Sequence, residues 1–269
     1  MIREPVVSGQ FYPSSAQGLR KQIESFVDKN AKREEAIAAV LPHAGYVYSG
    51  RVAVETVSCI NLKDTFIILG PNHTGRGEAF SIMTDGSWKT PLGEIRIDER
   101  LAKEILKDSG YLSQDSDAHL YEHSIEVELP ILQYFKSDFK IVPIVVAPQE
   151  KRTYERIGTE LAGTLKRLNI QDKVIIIASS DMTHYEPQEQ AKNKDMQAID
   201  AILKLDYDLL LERIANLDIT MCGYVPVTIM LVIAKAMGAK KSTLIKYETS
   251  GQASGDYSSV VGYAGIIIS

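Results

Sequence analysis

Residues 66–77, FIILGPNHTGRG, decide how the rest of the chain reads. An apolar run stops abruptly at Gly70 and Pro71, and His73 follows in a glycine-rich loop. Continuous apolar runs of this kind, unlike alternating ones, suit strands buried on both faces of a sheet. The pattern recurs along the chain. Ile37 to Leu41 runs into His43, and Lys173 to Ala178 runs into Asp181 and His184. Ile141 to Ala147 is another such run, while Thr243 to Glu248 and Ser258 to Ile268 close the chain. Between Phe80 and Ile97, Gly86, Pro91 and Gly93 punctuate what reads as a hairpin or meander of short strands.

Helical patterns fill the gaps. Leu19, Ile23, Phe26 and Val27 make an apolar stripe at helical spacing, as do Ile157, Leu161, Leu165 and Leu168. Asp98 is placed to cap a helix carrying Leu101, Ile105 and Leu106, which Gly110 ends. Pro187 opens another helix with Ile199, Ile202 and Leu203 on its inner face, and Asp206 caps a short one. Val225 to Met237 reads as a buried helix, too short to span a bilayer and interrupted by Lys235. Strand alternating with helix predicts an α/β fold: a three-layer α/β/α sandwich with a mostly parallel central sheet. No repeat, low-complexity tract or composition shift divides the chain, so residues 1–269 are expected to form one domain.

Composition excludes several function classes. A net charge of -5, with basic residues only in scattered pairs, argues against a nucleic-acid footprint. The opening MIREPVV lacks the apolar run of a secretion signal. Two cysteines, Cys59 and Cys222, build no disulfide framework, so a reducing, cytoplasmic setting is expected, without nucleic-acid or membrane partners.

The chemistry is expected where the histidines fall. In open α/β sheets the loops at the carboxyl ends of parallel strands form the binding crevice. His43, His73 and the Asp181–His184 pair all follow core strands, so they are predicted to share one pocket. Gly45 and Gly50 after His43, and Gly70, Gly75 and Gly77 around His73, allow a ligand to approach the backbone. Two neutral imidazoles suit a divalent zinc, iron or copper ion. Cys222, at the start of the apolar helix where the dipole favours a thiolate, is one candidate third ligand, and Asp181 is its rival. Cys59 reads as a packing residue.

The segment HLYEHSIEVELPILQYF, residues 119–135, adds His119, Glu122, His123, Glu126 and Glu128. Its spacing does not match HExxH, the zinc-protease pattern. Ile125, Leu129 and Leu132 form a helical stripe that Pro130 is expected to kink. His123 should stand near the helix start within reach of the pocket, and His119 in the loop before it. For the glutamates the reading is a solvated face or partners for the histidines, with Glu126 and Glu128 the more ordinary pair.

Taken together, LPHAGYVYSG (41–50), LGPNHTG (69–75), EHSIEVELP (122–130), SSDMTHY (179–185) and MCGYVPV (221–227) resemble the Memo family. The resemblance runs from VSGQFYP at Val7–Pro13 to SSVVGYAG at Ser258–Gly265. It implies a fold similar to the catalytic subunit of class III extradiol ring-cleavage dioxygenases. It also implies iron or copper held by two His and one Cys, which match His43, His73 and Cys222, with His184 as acid/base residue beside Asp181. Phe11 and Tyr12 would line the pocket. The dioxygenases use a carboxylate where this chain has Cys222, so ring cleavage does not follow from the likeness.

Three functions are therefore expected in competition. The first is a metal-dependent, oxygenase-like redox protein acting on a small molecule, with iron or copper favoured over zinc and His184, Asp181 and His123 as catalytic groups. The second is a metal-free hydrolase or transferase with Cys222 as nucleophile and His184 or His123 as base. The third is a non-catalytic module that binds a phosphopeptide, to which Arg51, Arg76 and Lys89 would lend charge.

Overall fold

The computed structural model describes residues 1–269 as an α/β/α sandwich around one mixed sheet. The strands, in chain order, are β1 (Ile2–Arg3), β2 (Ala38–Leu41), β3 (Thr65–Pro71), β4 (Phe80–Ile82), β5 (Ser87–Thr90), β6 (Gly93–Ile97), β7 (Ser113–Gln114), β8 (Lys140–Val146), β9 (Val174–Ser179), β10 (His184–Glu186), β11 (Ser242–Thr249) and β12 (Val260–Ile268). The sheet order is β1-β5-β6-β8-β3-β9-β2-β12-β10, with β11 also paired to β12 and β4 to β8.

At its centre β6, β8, β3, β9 and β2 run parallel. Every residue of β2, β3 and β9 is buried, as the continuous apolar runs predict for strands covered on both faces. Helix Tyr224–Ala236 covers β3, β9 and β2 and packs on helix Lys151–Leu168. Helix Gly50–Ser58 lies on β11 and β12 and packs on the helices Ala16–Phe26 and Leu129–Phe135. The meander foreseen between Phe80 and Ile97 is present: β5 and β6 form an antiparallel hairpin, and β4 pairs antiparallel with β8. Asp98 and Asp206 cap their helices as expected, accepting from the amides of Leu101 and Leu209.

The topology gathers one end of the sheet. Because β2, β3 and β9 are parallel, His43, His73 and Asp181 leave them on the same side. β12 runs antiparallel to β2, so the connection 250–259 that enters it lies at this end too. There β10 pairs with the start of β12 across an irregular register at His184 and Glu186.

The segment 119–135 departs from the sequence reading. His119 lies in a short helix, Asp117–Leu120, not a loop, and is fully buried against Trp88. Pro130 produces no kink, because it sits in the first turn of helix Leu129–Phe135, where its missing N–H costs nothing. Glu126 and Glu128 are not on a solvated face. Both are fully buried, Glu126 against Arg3 and Glu128 beside Ser179. Helical periodicity registers apolar positions and is blind to carboxylates that meet distant partners.

Candidate metal centre

His43 follows β2 and is buried, and Asp181 Oδ1 accepts its main-chain N–H at 2.9 Å. Its ring Nδ1 lies 2.7 Å from Ser179 Oγ, which also lies 2.7 Å from the Ser124 carbonyl. A carbonyl only accepts, so the hydroxyl proton goes to Ser124 and the imidazole donates from Nδ1. That tautomer leaves Nε2 as the lone-pair atom, and Nε2 faces Cys222 Sγ at 3.4 Å. Burial, reinforced by His73, His123 and His184, holds the His43 imidazole well below its ordinary range and therefore neutral.

Ser179 also lies 3.0 Å from Glu128 Oε1. Burial pushes Glu128 well above the carboxylate range, toward the protonated form that can donate to Ser179.

His73 follows β3 and is oriented by Glu122. That carboxylate accepts the His73 main-chain N–H at 2.6 Å and Nδ1 at 2.8 Å, again leaving Nε2 as the lone-pair atom. Burial works against ionising Glu122, but the His73 hydrogen bond and charge and the Ser124 N–H prevail and hold it down at about 2. His123 stacks on His73 with ring centres 4.7 Å apart, between Phe11 and His43.

Cys222 lies just before the helix that starts at Tyr224, with Gly223 as its cap. A side chain at Gly223 would collide with Ser179 and Ser180, so glycine lets this turn close onto the end of β9. The Cys222 sulfur accepts the Asp181 N–H at 3.2 Å. The lowered thiol expected from the helix start is corrected: burial pushes Cys222 well up, and the Asp181 charge adds to it. Desolvation outweighs the helix dipole here.

The donor atoms of His43, His73 and Cys222 lie within 4.8 Å of one another. Two ligands bound at ordinary metal distances in a tetrahedron stand about 3.6 Å apart, so two oriented imidazoles and a thiol suit a borderline or soft cation. Asp181 is outside this cluster, with one oxygen occupied by His43 N–H. Burial raises it to about 6, with nearby His184 pulling the other way. A second cluster of His73, Glu122 and His123 also brings donor atoms within 4.8 Å, but there His73 and Glu122 already bond each other.

Above the cluster lies a cavity of about 520 Å³, lined by His43, His73, His123, Asp181 and His184 among others. His184 donates Nδ1–H to the Thr220 carbonyl at 2.9 Å, so its Nε2 is the basic atom. The next residue, Tyr185, has a φ of 60° and is 78% exposed. A left-handed tyrosine is a strained backbone conformation.

Phe11 lines this cavity as expected, whereas Tyr12 turns inward and donates to Glu126 at 2.6 Å. Arg51, Arg76 and Lys89 are not among the lining residues: Arg51 pairs with Glu55, Arg76 lies over Tyr121, and Lys89 pairs with Glu4. The supports Ser179, Ser124 and Arg3 went unread in the sequence. Ser179 carried a signal, because SSD ends a core strand; Arg3 carried none.

The sequence model of a family described as Memo-like protein matches residues 3–267. A MEMO1 family protein of Methanococcoides burtonii is 46% identical, the match covering 99% of this chain and 100% of that protein. A MEMO1 family protein of Methanosarcina barkeri is 43% identical with the same coverage. One from Methanopyrus kandleri is 41% identical over 99% of each chain. With relatives matched over their whole length, this chain belongs to the Memo family.

Proposed function

We propose that this chain is a metal-dependent redox protein with oxygenase-like chemistry on a small molecule, in which His43, His73 and Cys222 hold iron or copper. The observation that carries the reading is the convergence of those three donor atoms, with both imidazoles fixed by their Nδ1 partners. Thiolate is a soft ligand, which favours iron, copper or zinc over magnesium or calcium. When bound, the metal would supply Lewis-acid and one-electron chemistry to a molecule in the cavity.

The chain's own groups complete the site. His184 lines the cavity with its Nε2 outside the Thr220 bond and is the proton carrier, with Asp181 orienting it or the substrate. His123 and Phe11 wall off the side of His73. The likeness to extradiol dioxygenases that the Memo resemblance implies would give an oxygenase-like pocket, with a thiol where those enzymes have a carboxylate. Cys59 and Cys222 are both free thiols, which supports a reducing, cytoplasmic setting. No helix is long and apolar enough to cross a membrane.

A metal-free thiol nucleophile has no comparable support, because that chemistry needs a lowered thiol and burial raises this one. The test is elemental analysis of protein purified without chelators, beside His43→Ala and Cys222→Ser. Near-stoichiometric iron or copper that falls sharply in both variants is expected. Equal, near-zero metal in all three samples would overturn the reading.

A further inference from the structure

The cavity has a wall that the metal reading does not use, and its chemistry is lopsided. Phe11, Tyr48, Tyr185 and Tyr263 contribute aromatic rings, and Ser250, Ser254 and Ser259 contribute hydroxyls. Two carboxylates, Asp181 and Asp256, face the same space, and none of the lining residues is a lysine or arginine.

The two carboxylates differ in depth. Asp181 is buried at the floor beside His43. Asp256 is exposed at the rim, on the connection between β11 and β12. Its Oδ1 accepts the Ser258 N–H at 2.8 Å and the Ser258 hydroxyl at 2.7 Å, which fixes the group in place. Its Oδ2 makes no hydrogen bond.

We propose that this pocket selects a small organic cation: a compact molecule whose ammonium group rests between Asp256 and the tyrosine rings while its uncharged end reaches the histidine floor. An ammonium ion gains from a carboxylate and from the negative faces of aromatic rings. A phosphate or carboxylate resting at the rim would meet the Asp256 charge with no lysine or arginine beside it, because any cation held by His43, His73 and Cys222 lies at the floor. The rim therefore disfavours the phosphorylated peptides that the third sequence-based reading would require. The proposal names the substrate class for the site described under Proposed function, and it rests on that cavity being the substrate's place, whichever metal lies beneath.

Three ligands of one shape isolate the charge: phenethylamine, 2-phenylethanol and phenylacetate. Each is titrated into the full chain by NMR at about pH 8, above the ordinary imidazole range. Metal content is measured on the same preparation. The amine is expected to bind about 10-fold tighter than the alcohol, as a shielded cation–π and carboxylate contact allows, with phenylacetate weakest.

Asp256→Asn, an exposed and nearly isosteric change, should shrink the amine–alcohol gap to about 2-fold, the range of a lone cation–π contact. Tyr48→Leu should weaken the amine more than the alcohol. A carboxylate that binds as well as the amine, an Asp256→Asn protein that keeps the full preference, or no amine binding at millimolar concentration would each overturn the proposal. An amine preference in protein shown to hold no metal would sink the metal reading and leave this one standing. Metal retained with a reversed preference would do the opposite.

Discussion

His43 and His73 leave two strands of one parallel sheet, on either side of β9, with the same tautomer, yet what holds them differs in kind. His43 gives its Nδ1–H to a neutral hydroxyl, Ser179. That serine is in register with Leu41 on the neighbouring strand, so the support comes with the sheet itself. His73 gives its Nδ1–H to the Glu122 carboxylate, which sits in an irregular turn far along the chain. That turn is braced in its own right. The Arg3 guanidinium donates to the His119 carbonyl at 3.1 Å and the Glu122 carbonyl at 2.6 Å, and pairs with Glu126. Glu126 in turn accepts the N–H groups of Val6 and Val7 and the Tyr12 hydroxyl. One imidazole therefore depends on strand register and the other on a buried ion pair that ties the amino terminus to the site.

Breaking that pair is the most damaging way to test the contrast. Arg3→Met leaves Glu126 buried without its cation and removes the stacking of Arg3 on Trp88. Removing one partner of a buried pair costs about 3–5 kcal/mol. The expected result is a large fall in the urea midpoint, with the double variant Arg3→Met/Glu126→Gln recovering part of it. A midpoint unchanged in Arg3→Met would show that the turn around Glu122 stands without its brace.

The contrast also explains what could be read in advance. The central sheet and the His43–His73–Asp181 end were legible because buried parallel strands announce themselves as apolar runs, and topology places the residues just beyond each run. Cys222 could be named as a neighbour of that end because a helix start returns there. The segment 119–135 could not be read in the same way. Glu126 and Glu128 resemble a solvated face until Arg3 and Ser179 are brought against them, over separations of 123 and 51 residues. Local periodicity carries no information about such partners. The thiol of Cys222 misled for a related reason: the helix start argued for a lowered value, and the burial that raised it is a property of the assembled site.

Acid should act on the site, where burial lowers the His43 imidazole, and also on the braced turn. His119 is buried there, and burial lowers its imidazole to about 4 from an ordinary value of 6.5. The unfolded chain thus binds a proton that the folded chain refuses. The resulting stability is fully present above about pH 6.5 and is lost as pH falls toward about 4, a difference of about 3 kcal/mol. Glu128 has the opposite sign: its raised folded value means that stability falls as pH rises above the ordinary carboxylate range. His119→Gln, which does not titrate, should flatten the acid limb of a stability–pH curve measured by urea unfolding. An acid limb as steep as in the unaltered protein would place the sensitivity elsewhere.

The smallest expected effect compares the two supports directly, and it depends on His43, His73 and Cys222 holding a metal. Glu122→Gln keeps the shape of the side chain but replaces an ionised acceptor, held down at about 2, with a neutral amide. Ser179→Ala removes the His43 acceptor but leaves the buried, protonation-prone Glu128 behind it. Loss of a group that orients a metal-bound imidazole lowers metal affinity by about 10–100-fold. Charge-assisted bonds are about twice as strong as neutral ones, so the two exchanges lose comparable bonding. Glu128 stands behind Ser179 to take its place, so Glu122→Gln should lie at the upper end and Ser179→Ala at the lower. Competition against a chelator of known affinity gives both numbers, and circular dichroism confirms that each variant is folded. If Ser179→Ala proves the more costly, sheet register positions the site more strongly than the carboxylate does, and the turn braced by Arg3 serves stability alone.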